Sequence, residues 1–71
     1  MYSSYNTIFL NGKPLNCSSD TSLLDLLLHC GFTIESIIVE YNKKILSSDN
    51  FSSVFLRSED NIEVITIVGG G

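Results

Sequence analysis

The side chains of this 71-residue chain offer little chemistry, and its end offers more. Gly69-Gly70-Gly71 closes the sequence, so the last group is a bare α-carboxylate on a rod without side chains. A carboxylate is a weak electrophile. It becomes an acyl donor only after it gains a good leaving group, and adenylation by ATP is the general route. A glycine backbone takes any φ that a narrow channel imposes, so such a tail can carry its carboxylate into another protein's pocket. The other candidates are weaker. His29 is the one histidine, and at a helix end it suits a capping or surface position better than catalysis. The serines have no neighbouring base to activate them. Cys17 and Cys30 stand in unrelated contexts, with no CxxC and no Cys/His cluster, and read as two small buried side chains. No GxxxxGK loop is present, and nothing follows the triple glycine to form a helix N-terminus. Any nucleotide must therefore be held by a partner.

A tail of this kind needs a rigid base. Ile62 to Val68 reads as the last and longest strand, with apolar residues at Ile62, Val64, Ile65, Ile67 and Val68. Both its faces are expected to meet protein, the pattern of a central strand, with Glu63 facing water at one edge. The chain opens with Tyr5 to Leu10, a strand pattern, followed by Asn11-Gly12, the strongest short hairpin signal. Lys13-Pro14 leads into Leu15-Asn16-Cys17, and Pro14 belongs at an edge or a strand start because it has no N–H to give a ladder. Thr21 or Ser22 can cap a helix start, Asp25 suits its positive end and His29 its negative end, and Gly31 can end it in a left-handed conformation. The helix is predicted over Ser22 to Cys30. With five leucines between Leu23 and Leu28, it must lie on a sheet.

Ile37 to Tyr41 reads as a third strand, Asn42-Lys43-Lys44 as a turn, and Ile45-Leu46 as a brief pairing. Phe51 is expected beneath the polar loop of residues 47–53. Val54-Phe55-Leu56 reads as a short fourth strand. Ser58-Glu59-Asp60-Asn61 reads as a turn whose acids are solvated. This order of elements gives an α+β, ubiquitin-like β-grasp fold, with a mixed four- to five-stranded sheet and one main helix on one face. The first and last strands are expected to pair in parallel at its centre. Residues 1–71 make a single domain with a mobile Gly69–Gly71 tail.

Size and charge narrow the function classes. A chain this short has a small core and no room for a catalytic domain with a deep cleft. Net charge is −4, and the four bases are scattered, so the clustered cations of a nucleic-acid binder are missing. The polar start, Met1 to Tyr5, does not resemble a signal peptide. Leu23 to Leu28 is too short to span a bilayer. The expectation is a reduced, intracellular protein of the cytoplasm. The absence of alanine and the single arginine fit an AT-rich genome such as an organelle's or a symbiont's; if the chain is organelle-encoded, the compartment would be the plastid stroma.

Three features together resemble the ThiS family of sulfur carrier proteins of thiamine biosynthesis. They are the early Asn11-Gly12-Lys13 hairpin, the leucine-rich helix after Thr21-Ser22, and the run from Asp60-Asn61-Ile62-Glu63-Val64 to the terminal glycines. The likeness covers essentially the whole chain. It implies a carrier rather than an enzyme, binding no cofactor itself. An E1-like adenylyltransferase of the ThiF type would use ATP and magnesium to adenylate Gly71. Sulfur from a cysteine desulfurase system would then give a thiocarboxylate, and a thiazole synthase of the ThiG type would accept that sulfur. Gly69 and Gly70 would thread the partner's channel. Two readings stand beside it: a molybdopterin synthase small subunit, whose family often has proline before the last glycines where this chain has Ile67-Val68, and a ubiquitin-like modifier. A persulfide on Cys17 or Cys30 is not required by a carrier with a loadable tail.

Overall fold

The computed structural model describes residues 4–67. Asn11 and Gly12 both take positive φ, 51° and 82°, the requirement of a type I′ turn. That turn joins strand β1 (Tyr5–Leu10) to β2 (Lys13–Ser18) in an antiparallel hairpin. Helix α1 (Leu23–His29) follows. Its N-cap is Ser22, whose Oγ accepts from the Asp25 N–H at 3.0 Å. Its end is a Schellman motif: Gly31 sits at φ 86°, its N–H donates to the Leu28 carbonyl, and the Phe32 N–H donates to that of Leu27. A single 3-10 turn (Ile34–Ser36) leads into β3 (Ile37–Tyr41). A second tight turn, with Asn42 and Lys43 at φ 51° and 73°, returns the chain as β4 (Lys44–Leu46). The last strand, β5, spans Asn61–Thr66.

The five strands form one mixed sheet in the order β2-β1-β5-β3-β4. β5 lies at its centre, parallel to β1 and antiparallel to β3. The expected β-grasp topology is therefore present, with five strands. Leu23 and Leu27 of the helix pack with Ile8, Val39 and Ile62 of the sheet, and all five are fully buried. Each such side chain stabilises the fold by about 1.5–3 kcal/mol. Phe51 closes the same core from below its loop, 2% exposed.

Four expectations need correction. Residues 54–56 form no strand; Phe55 makes only an isolated bridge to Ser22. Their backbone serves the helix instead. The Leu23 N–H donates to the Val54 carbonyl at 2.8 Å, and the Leu56 N–H donates to Thr21 at 2.9 Å. A helix start has N–H groups without internal partners; Val54 supplies the acceptor for one of them, and the Phe51 carbonyl takes the Leu24 N–H at 3.0 Å. Second, β5 is central but not covered on both faces. Ile62 and Val64 are buried, while Glu63, Ile65 and Ile67 point away from the helix, and Ile65 is 52% exposed. It matches β1 and β2 in length rather than exceeding them. Third, the cysteines are not both buried: Cys17 is half-buried and Cys30, the helix C-cap, is exposed. Fourth, Asp60 is buried.

Candidate functional site

The residues proposed to do chemistry, Gly69, Gly70 and Gly71, lie outside the described residues, as does Val68. What is described is the strand that delivers them. β5 is held on both edges. On the β3 side the ladder ends with the Ile67 N–H donating to the Ser36 carbonyl at 2.7 Å. On the β1 side, Asn11 makes two contacts beyond the hairpin it turns. Its backbone N–H donates to the Ile62 carbonyl at 2.8 Å, and its side-chain Oδ1 accepts from the Val64 N–H at 2.8 Å. The turn residue thus extends the parallel ladder by one step.

The start of β5 is held by Asp60. Its carboxylate accepts from the Tyr41 hydroxyl at 2.5 Å, from the Arg57 backbone N–H at 2.8 Å and from Asn42 Nδ2 at 3.1 Å. Asn42 in turn accepts from the Asn61 N–H through its Oδ1 at 2.8 Å. The Asp60 carbonyl takes the Phe9 N–H. A buried carboxylate is tolerable only with its lone pairs filled, and here three donors fill them. The arrangement ties the β3–β4 turn, the residue 57–60 turn and the first residue of β5 to one point.

Tyr41 reports on this network. Burial, then the hydrogen bond to Asp60 and the negative charge beside it, push its pKa from 10 up to about 12. A pKa raised on folding means that stabilisation is fully present below the unfolded value and is lost as pH rises through the folded one. Between pH 10 and about 12 the wild type should lose stability that Tyr41→Phe, with no proton to lose, does not. Urea denaturation of both proteins across that range checks it, and parallel curves would disprove the coupling.

The remaining candidates do not come together as a reactive centre. Cys17, Asp25 and His29 all line an open cavity of about 310 Å³ between β2 and the helix. Burial raises the Cys17 pKa, outweighing a lowering by the Thr21 side chain, so the thiol is not primed as a thiolate. Among the described residues, no group of His, Cys, Asp or Glu could hold a metal ion, and no helix is long and apolar enough to cross a membrane. Two features escaped the sequence reading, the Asp60 network and the Asn11 side chain. The signal for both was a polar residue bordering a strand with a hydrogen-bonding side chain and no evident need for it.

A helix laid across a mixed sheet, with the last described strand at the sheet centre, defines a ubiquitin-like β-grasp protein. A model described as "ThiS family" matches residues 8–71, and the chain belongs to that family of sulfur carriers. It is 43% identical over 65 residues to the uncharacterized protein ycf40 of Porphyra purpurea, covering 92% of each chain. It is 38% identical over 63 residues to the sulfur carrier protein ThiS of Bacillus subtilis, covering 87% of this chain and 96% of that one. It is also 42% identical over 64 residues to a thiazole synthase of Magnetococcus marinus, covering 90% of this chain but 20% of that protein. The crystal structure of the thiamine biosynthesis protein ThiS from Geobacter metallireducens superposes with a TM-score of 0.78 at 25% identity, over 92% of this chain and 99% of that one.

Proposed function

We propose that Gly71 is the loading site and that this chain carries sulfur, as a C-terminal thiocarboxylate, to the enzyme that builds the thiazole ring of thiamine. The observation that carries the reading is the placement of β5. A central strand, pinned as far as Ile67 on its β3 side and as far as the Val64 N–H on its β1 side, leads in four residues to Gly71. An E1-like adenylyltransferase of the ThiF type, holding ATP and magnesium, joins the carboxylate to AMP and releases pyrophosphate. A cysteine persulfide from a desulfurase system attacks the acyl carbon and displaces AMP. The product is an acyl disulfide to the donor cysteine. A second thiol attacks that cysteine's sulfur, the S–S bond breaks and a disulfide forms between the two thiols. The outer sulfur stays on the acyl carbon as the thiocarboxylate. Gly69 and Gly70 supply the side-chain-free stretch that a narrow channel admits.

The thiazole synthase relative supports the choice of acceptor. A stretch similar to this chain forms part of a polypeptide of that name in Magnetococcus marinus, and parts joined in one chain there correspond to two docking proteins here. The ycf40 relatives and the alanine-free composition support the plastid stroma over the cytoplasm as its compartment.

The test is to mix the chain with a ThiF-type enzyme, ATP, magnesium and a persulfide donor and to weigh the product. A carrier gains the mass of one oxygen-to-sulfur exchange at its end; a modifier instead gives heavier conjugates without it. The Cys17→Ser, Cys30→Ser double variant should load as the wild type does. Complete loss of loading in that variant, still folded, would move the sulfur to a cysteine.

A further inference from the structure

The two edges of β5 are not equally occupied. Its register with β3 runs from Tyr41 opposite Ile62 to Ile37 opposite Thr66. The Asn42 N–H donates to Asn61 and the Ile67 N–H to Ser36. In an antiparallel ladder successive residues alternate in the side to which their N–H and C=O point. Residues 61, 63, 65 and 67 therefore bond toward β3, and residues 62, 64 and 66 toward β1. The contacts of the Ile62 carbonyl and the Val64 N–H with Asn11 agree with this parity.

β1, however, stops early. Its pairing with β5 consists of Phe9 opposite Asn61 and Leu10 opposite Ile62, after which the chain turns away at Asn11. The Asn11 side chain fills one more position, the Val64 N–H. Beyond it the Val64 carbonyl and both the N–H and the carbonyl of Thr66 face the vacated side. Among the described residues they have no hydrogen-bond partner. A central strand thus becomes an edge strand over its last turn, on the approach to the reactive end.

We infer that this half-edge takes an extended strand of the thiazole synthase that receives the tail, so that the two proteins share one sheet. The inference rests on the carrier reading above. Reach argues for that occupant. Gly71 lies four residues beyond Ile67, at most about 14 Å of fully extended chain. A pocket that takes its carboxylate has walls close against Thr66. Strand addition to an open edge is a general mode of recognition, in which main-chain bonds give affinity and alternate side chains give selectivity. The incoming strand accepts from the Thr66 N–H and donates to the Thr66 and Val64 carbonyls, and Asn11 marks where its ladder ends. Its apolar side chains lie beside Ile65 and Ile67, which are 52% and 48% exposed on the face away from the helix. A second copy is a poorer occupant, since each chain has a net charge of −4 and like charges repel on approach.

Amide hydrogen exchange reads this directly. In the free protein the Thr66 N–H should exchange fast while those of Ile65 and Ile67, bonded to β3 and to Ser36, exchange slowly. Adding purified thiazole synthase should slow Thr66 exchange by about 100-fold, as a local opening is converted to a protected bond. Thr66→Pro removes only the outward N–H, which an edge position tolerates. It should keep the fold by circular dichroism and weaken the complex about tenfold, the loss expected for one or two main-chain hydrogen bonds. Ile65→Pro, which removes a ladder bond, should not fold. A complex that forms with Thr66 exchange unchanged overturns the inference and leaves the carrier reading intact. No complex at all removes the synthase as partner, and the inference with it. Protection of Thr66 that instead rises with the carrier's own concentration, together with a dimer in sedimentation, assigns the edge to self-pairing and equally overturns it.

Discussion

Chains that lack Gly71, or that carry one residue beyond it, are expected to fold normally and to accept no sulfur. The reacting carbon moves by one residue, about 3.3–3.6 Å of chain, while a misplacement of about 1 Å can already cost about 100-fold in rate. Loss of loading should therefore exceed about 100-fold for both variants. The body should not notice. The last described contact of β5 is the Ile67–Ser36 hydrogen bond, and changes remote from such features fall within about 0.5 kcal/mol. Single-turnover adenylation, followed by intact mass measurement, checks the prediction. An extended chain that loads at the normal rate with its extra residue still present would rule out attack at a fixed terminal carboxylate. The same experiment separates the tail from the body, because melting temperature and loading rate should move independently.

The second large effect is expected at Asp60. It lies at 7% exposure with three donors on its carboxylate. Removing it by Asp60→Ala leaves the Arg57 N–H, the Tyr41 hydroxyl and an Asn42 N–H facing a gap. Hydrogen bonds to a charged group are worth about 1.5–3 kcal/mol each, and an abandoned buried donor costs more than a bond never built. A loss of about 3 kcal/mol is expected, against a total of about 4–11 kcal/mol for a chain of this length at the usual stability per residue. Asp60→Asn is a sharper probe. One amide oxygen can still serve Tyr41 and Arg57, but the NH₂ group then meets Asn42 Nδ2, also a donor. If Asn42 flips to accept, its present bond to the Asn61 N–H is lost. Asn at residue 60 should thus cost at least about 1.5 kcal/mol despite its matching shape. Urea titrations of the three proteins measure this, and an alanine variant within about 0.5 kcal/mol of wild type would mean that Asp60 does not anchor β5.

What could be read from the sequence was local. Asn11-Gly12 dictates its own φ angles, and Ser22, Asp25 and Gly31 bracket a helix through contacts no more than a few residues away. The family resemblance points to Gly71 as the site, a residue that lies outside those the structure describes. The misreadings were of long range. Asp60 looks like a solvated turn acid until Tyr41 and Asn42, 19 and 18 residues away, arrive beside it. Ile65 and Ile67 suggested burial on both faces, yet the single helix covers one face only, and apolar residues on the other face are left to solvent. Val54-Phe55-Leu56 has the composition of a strand, but its backbone groups are taken by the helix start before any sheet edge is available. Cys17 sits where burial is partial because β2 is an outer strand of the sheet.

The strand at the middle of the sheet is also the last in chain order among the described residues. Until residues 61–66 emerge, the β1–β2 hairpin and the β3–β4 hairpin have nothing to join them. A chain cut short before residue 61 therefore lacks the strand that joins the two halves of the sheet. Assembly of the sheet therefore waits on the residues just before the terminal glycines.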